Sequence, residues 1–190
     1  MAKTTKRDLS NSLKTLLLKK PLNKVTVEDI ASDCGVSRMT FYYYFADIYD
    51  LVEWTCQEEA RKALAENRTY NTWQVGFLDI LQVVLENKAF VLNVYRSVGR
   101  EHIEEYLYTV TYKLLMDVIE EKAQDVSVPA TDKKFIADFY KYAFVGITLN
   151  WIQGGMKEAP KEIIDRTSLL LQDNIAHALQ NYSRGLSQVN

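Results

Sequence analysis

A chain of 190 residues with 47% hydrophobic side chains is long enough to bury a core and too apolar to be a disordered chain. Seven Gly and three Pro over that length argue against a strand-and-turn protein, and a net charge of −2 excludes a polycation. The charge is uneven: residues 1–45 carry eight Lys or Arg against four acids, a surplus of four, which leaves −6 on the remainder. A basic head on an acidic body suits a polyanionic partner. Cys34 and Cys56 have neither metal-ligand nor CxxC spacing, so free thiols in a reducing cytoplasm are expected. The charged N-terminus lacks the apolar stretch of a signal peptide, and no apolar run approaches the roughly 20 residues a bilayer span needs.

The spacing of Leu9, Leu13, Leu16 and Leu17 predicts a first helix over about 5–19, ended by Lys19, Lys20 and Pro21. Thr26 and Asp29 have capping-box spacing, so a second helix starts at Val27, and Gly35 stops it. Ser37 caps a third short helix, Arg38 to about Tyr44; Ala46 and Asp47 break it, and Asp47 caps a fourth, Ile48 to about Asn67. Apolar periods then predict helices over Trp73–Leu85, Ala89–Val98 and Ile103–Ala123, with a loop at 125–130. Thr131 or Asp132 opens a helix to about Met156, whose end Gly154 and Gly155 are expected to loosen. Pro160 begins a last helix to about Tyr182, with a frayed tail after Ser183.

Two short helices around a glycine turn have the shape of a helix-turn-helix. Ile30 and Ala31 are placed to meet Val36, Phe41 and Phe45, which leaves Ser37, Arg38, Thr40, Tyr42 and Tyr43 facing outward. Arg38 can take a guanine edge or a phosphate, and Thr40 a base edge or a thymine methyl. The hydroxyls of Tyr42 and Tyr43 suit phosphates, and Lys24 adds nonspecific attraction.

The run Val25–Ala31, the Gly35-Val-Ser37 turn and Thr40-Phe-Tyr-Tyr-Tyr-Phe45, followed by Leu51, resemble the TetR family of bacterial regulators over about the first 55 residues. The resemblance implies an all-α protein: a three-helix DNA-binding head with a helix-turn-helix (1–50) and a helical dimerisation and signal-sensing body (51–190). DNA contacts are expected from Lys24, Thr26, Ser37, Arg38, Thr40, Tyr42, Tyr43 and Tyr49. The family usually places Lys near the start of the fourth helix; here Ile48 stands there, so one phosphate anchor is missing or replaced by Tyr49. Residues 70–156 also resemble a TetR subgroup linked to dihydroxyacetone kinase operons, through Trp73-Gln74, Leu85–Phe90 and the Gly146–Trp151–Gly155 stretch. That subgroup includes an activator whose signal arrives through a partner protein.

The last two predicted helices are apolar on more than one face: Phe135, Phe139 and Tyr142 against Ile136, Tyr140 and Phe144 in one, and Ile163 through Leu179 in the other. A helix apolar all round must be covered all round, and a second copy of the chain is the expected cover. The operator is then palindromic double-stranded DNA. Trp73, Tyr95, Arg96, Tyr112, Asn150 and Trp151 are candidates for an effector pocket. The expected function is sequence-specific regulation, by repression, under a small effector; a co-regulator protein in its place, or a helical interaction module without DNA, stays open. An enzyme is not expected: His102 and His177 sit in no catalytic motif, and no phosphate loop, cofactor motif or metal motif is present.

Overall fold

The computed structural model describes residues 2–65, 72–97, 100–171 and 173–187. All regular structure among them is helical: α1 (Ala2–Leu17), α2 (Val27–Asp33), α3 (Arg38–Tyr44), α4 (Ile48–Ala65), α5 (Trp73–Glu86), α6 (Lys88–Ser97), α7 (Glu101–Lys122), α8 (Ala130–Gln153), α9 (Pro160–Leu171) and α10 (Asn174–Ser187). Asn67 and Val98, at the ends of two predicted helices, lie outside the described residues.

Four local expectations need correction. A 3-10 turn, Leu22–Lys24, follows Pro21 where no element was expected. Gly154 and Gly155 do not loosen the end of α8 but close it. Gly155 adopts φ +82°, its N–H reaches the Ile152 carbonyl at 2.9 Å, and the Met156 N–H reaches the Trp151 carbonyl at 2.9 Å. The single last helix is two, α9 and α10, with Asp173 at φ +56° before the second. The helix also continues past Ser183 to Ser187.

The chain forms two compact units. The first holds α1 to α4 as far as Ala63, α6, and α7 as far as Tyr106; the second holds α5, α7 from Leu107, and α8 to α10. The packed head therefore extends beyond a boundary at residue 50 and borrows α6 from later in the chain. In this unit Leu9, Leu13 and Leu17 of α1 are buried with Ile30, Ala31, Phe41, Phe45 and Leu51. Polar pins fix the register of α1. Ser12 donates to the Ile30 carbonyl at 3.4 Å, and Thr55 of α4 donates to the Ser10 hydroxyl at 3.0 Å. Glu58 of α4 accepts from Arg7 at 3.0 Å and from Arg61 at 2.7 Å. The pairing with Arg61, then with Arg7, holds the Glu58 carboxyl down at about 2.

In the second unit Phe144 of α8 is fully buried, with Trp73 and Phe77 of α5 edge-on to it at 5.2 and 4.5 Å between centroids. Leu107, Leu114, Leu115, Val118 and Ile119 of α7, with Ile175 and Leu179 of α10, complete its core. One side of α8 and α9 is left bare in the single chain: Phe135, Phe139, Tyr142, Leu169 and Leu170 are all exposed.

Candidate nucleic-acid interface

The geometry of the head starts with its caps. Thr26 accepts the Asp29 N–H at 3.1 Å, and the Asp29 carboxylate accepts the Thr26 N–H at 2.7 Å, so both orphan donors at the start of α2 are satisfied. Lys20 adds a 2.6 Å bond to the same carboxylate. That bond, with those from Thr26, lowers the Asp29 pKa to about 2. At the other end of α2, Gly35 takes φ +65°; its N–H bonds the Ser32 carbonyl at 3.1 Å and the Val36 N–H bonds the Ala31 carbonyl at 2.9 Å. A left-handed glycine one residue past the cap lets the chain reverse at once into the next helix. Ser37 then caps α3, its hydroxyl accepting the Thr40 N–H at 3.1 Å.

The core side of α3 is set by Phe41 and Phe45, both buried, their rings tilted at 51° with centroids 5.9 Å apart. The opposite side is open. Arg38, Met39, Tyr42 and Tyr43 are exposed, and Thr40 is half-buried. Arg38 lies 3.8 Å from Glu28 in a contact whose two side chains are both more than half exposed, which leaves its guanidinium free to change partners.

The predicted DNA contacts therefore divide into two groups. Arg38, Tyr42 and Tyr43 share one exposed face of α3, and Tyr49 is exposed on the first turn of α4, whose start Asp47 caps through the Asp50 N–H at 2.9 Å. Lys24 is exposed on the turn before α2. Ser37, Thr40 and Thr26 are engaged locally: the Ser37 and Thr40 hydroxyls are 3.0 Å apart, and the Thr26 hydroxyl donates to Asp29 at 2.7 Å. Met39, which is not among the predicted contacts, is also exposed and stands four residues before Tyr43, on the same helical face.

The effector candidates are divided between the two units. Tyr95 and Arg96 lie on α6 in the first unit, Arg96 exposed. Within the second unit, Trp73 borders a hollow of about 450 Å³ with Leu171 and Ile175, and Tyr112 a shallow one of about 730 Å³ with Tyr108 and Lys141. Asn150 and Trp151 line a third, of about 710 Å³, with Ile163, Arg166 and Leu170. Lys141, beside Tyr112, has the rings of Tyr108, Tyr112 and Tyr142 within 5.4 Å and Asp138 at 2.6 Å, so its charge is already matched. The Trp151 indole N–H donates to the Glu158 carbonyl at 2.9 Å. Cys56 is buried and its thiol pushed up to about 12 by that burial; burial also raises Cys34. Neither environment favours a reactive thiolate. No group of His, Cys, Asp or Glu among the described residues is arranged to hold a metal, and no helix among them is long and apolar enough to cross a membrane.

Two family profiles match the chain: "Bacterial regulatory proteins, tetR family" over residues 13–54, which contain α2 and α3, and "Transcriptional regulator C-terminal region" over residues 71–173. This chain is a member of the TetR family. Among TetR-family relatives, it is 26% identical over 147 residues to the HTH-type dhaKLM operon transcriptional activator DhaS of Lactococcus lactis subsp. lactis (strain IL1403), covering 76% of this chain and 77% of that protein. The solved structure of a "Dihydroxyacetone kinase operon activator DhaS" superposes with a TM-score of 0.73 at 22% identity, over 94% of this chain and 98% of that one, which makes the fold common to both. Against the TetR pattern, Ile48 stands half-buried where a lysine is usual, with Tyr49 exposed beside it.

Proposed function

We propose that this TetR-family chain regulates transcription in the cytoplasm as a homodimer, each subunit seating α3 in the major groove of one half of an inverted-repeat operator. The observation that carries this reading is the outward face of α3. Arg38, Tyr42 and Tyr43 are exposed on a helix fixed from behind by Phe41 and Phe45 and capped by Ser37, and they offer one cation and two phenolic hydroxyls to a polyanion. Lys24 and Tyr49 extend the contact to phosphates on either side. The bare apolar side of α8 and α9, with Phe135, Phe139, Tyr142, Leu169 and Leu170, supports a second copy of the chain as its cover.

Activation is favoured over the repression expected from the sequence, since the DhaS matched by sequence and the DhaS matched by structure are each named an activator. Two signals fit the second unit. A small effector has room in the hollow of about 710 Å³ that Asn150 and Trp151 line. A co-regulator protein is favoured by a different observation: within the second unit Trp73, Tyr112 and the Asn150–Trp151 pair border three separate hollows.

The test is selection of bound duplexes from random-sequence DNA by the full chain. The expected result is an inverted repeat with half-site centres ~34–36 Å apart, one helical turn or a multiple of it. Absence of any enriched sequence would overturn the reading. Repeating the binding with candidate metabolites, and placing the selected duplex before a reporter, separates the two signals and the two signs.

A further inference from the structure

The apex of α3 is apolar in its first turn. An α-helix turns roughly 100° per residue, so Met39 and Tyr43 both lie roughly 160–200° around the axis from Phe41, the residue that faces the core. Met39 is 77% exposed and Tyr43 80% exposed. Arg38 and Tyr42 occupy one flank of that apex, and Thr40, half-buried and bonded to Ser37, the other. The side chain projecting furthest from the head in the first turn of α3 is therefore a thioether, with no hydrogen-bonding donor and only a weak acceptor.

An exposed methionine at the crown of a helix fixed from behind costs solvation and contributes nothing to the core. Arg38 precedes it, 3.8 Å from Glu28 in an exposed pair, and residues 1–45 as a whole carry a surplus of four cations. The only apolar group that a major groove offers among its donors and acceptors is the C5 methyl of thymine. Met, unbranched and with three rotatable side-chain bonds, can follow that methyl without a fixed hydrogen-bonding geometry.

We propose that Met39 is a specificity-determining residue that reads the 5-methyl group of a thymine in each half-site by apolar contact. This rests on α3 entering the major groove, as proposed above. Arg38 and the tyrosines hold the helix against polar edges and phosphates, and Met39 sets a preference for thymine over cytosine or uracil at one position that they leave unread.

The experiment uses the full chain and a duplex selected from random DNA by the wild-type protein. Each thymine is replaced in turn by deoxyuridine, which removes only the methyl. Wild type should lose about fourfold in affinity at one thymine per half-site, the value of one buried methyl-sized group. Met39→Ala should bind the thymine duplex more weakly by a similar factor and be indifferent to uracil at that position, while Met39→Leu keeps the sensitivity. Equal uracil sensitivity in Met39→Ala and wild type at every position would overturn the assignment, as would a wild type that binds a selected duplex with no methyl-sensitive thymine. In both cases DNA binding itself survives. Failure to select any duplex removes the DNA-binding reading and this inference together, so the two failures are distinct.

Discussion

The side-chain carbonyl of Asn93, on α6, accepts the backbone N–H of Leu22, in the turn between α1 and α2, at 3.1 Å. The amide nitrogen of the same side chain donates to the Ala89 carbonyl at 2.8 Å and to the Leu17 carbonyl at 3.4 Å. One side chain thus satisfies the last turn of α1 and the entry to the helix-turn-helix, and ties both to α6. Lys14 reinforces the attachment with a 3.2 Å bond to Asn87.

Asn93→Ala leaves the N–H of Leu22, itself a buried residue, without this acceptor. The expected loss is about 1–3 kcal/mol of stability, the cost of an unsatisfied buried polar group. Chemical denaturation followed by circular dichroism measures it. Asn93→Asp keeps the acceptor and loses the donors, and should fall between the two.

Gly35→Ala tests the turn. A Cβ at this position would meet nothing within 4 Å, so sterics with neighbours contribute nothing. The left-handed φ of +65° alone sets the cost, about 1–2 kcal/mol. A lower denaturation midpoint with an unchanged helical signal is expected. Loss of DNA binding with no change of midpoint would mean that the turn serves contact rather than folding.

Asp29 and Glu58 both have carboxyls lowered to about 2, from ordinary values of 3.8 and 4.5. A carboxylate whose folded pKa is depressed contributes stability that is fully present above its unfolded pKa and is lost as pH falls through the folded value. The midpoint of unfolding should therefore be level above roughly pH 5 and decline as pH drops from there towards 2. Asp29→Asn and Glu58→Gln should each flatten that decline, in a melting series across the same range.

Phe139→Lys places a charge at the centre of the bare side of α8, between Phe135 and Tyr142. Phe139 is exposed in the single chain, so the fold should be retained and the proposed homodimer lost. Light scattering coupled to size-exclusion chromatography reads the mass directly; a dimer that survives at equal concentration counts against this face as the interface.

The two short helices of the helix-turn-helix were legible in the sequence because their ends are chemical. Thr26 and Asp29 form the capping box their spacing implies, Gly35 takes the conformation its position demands, and Ser37 caps as expected. The break between α9 and α10 was not legible. Apolar residues continue in helical period from Ile163 to Leu179, and the residue that turns left-handed is Asp173, with no Gly or Pro to mark it. The Asn93 to Leu22 bond joins residues 71 apart, which periodicity does not see. Met39 carries no hydrogen-bonding donor that would mark it in the sequence, yet it stands on the solvent-facing apex of the first turn of α3. The effector candidates share a chemical type rather than a position: Trp73, Tyr112 and the Asn150–Trp151 pair border separate hollows of the second unit, and Tyr95 and Arg96 belong to the first.

The most direct measurement is the affinity of the full chain for its selected duplex as salt is raised, for wild type, Arg38→Ala and Tyr43→Phe. Each phosphate neutralised releases counterions, so the logarithm of affinity should fall linearly with the logarithm of salt, with a slope of about −0.9 per phosphate contact. If Arg38 meets a phosphate, Arg38→Ala should bind more weakly with a slope shallower by about one unit; if it meets a guanine edge, it should lose about 1–3 kcal/mol and relax the preference at one base pair. Tyr43→Phe should weaken binding with little change of slope. Affinity that is indifferent to salt, or unchanged in both variants, would contradict the placement of α3 on DNA.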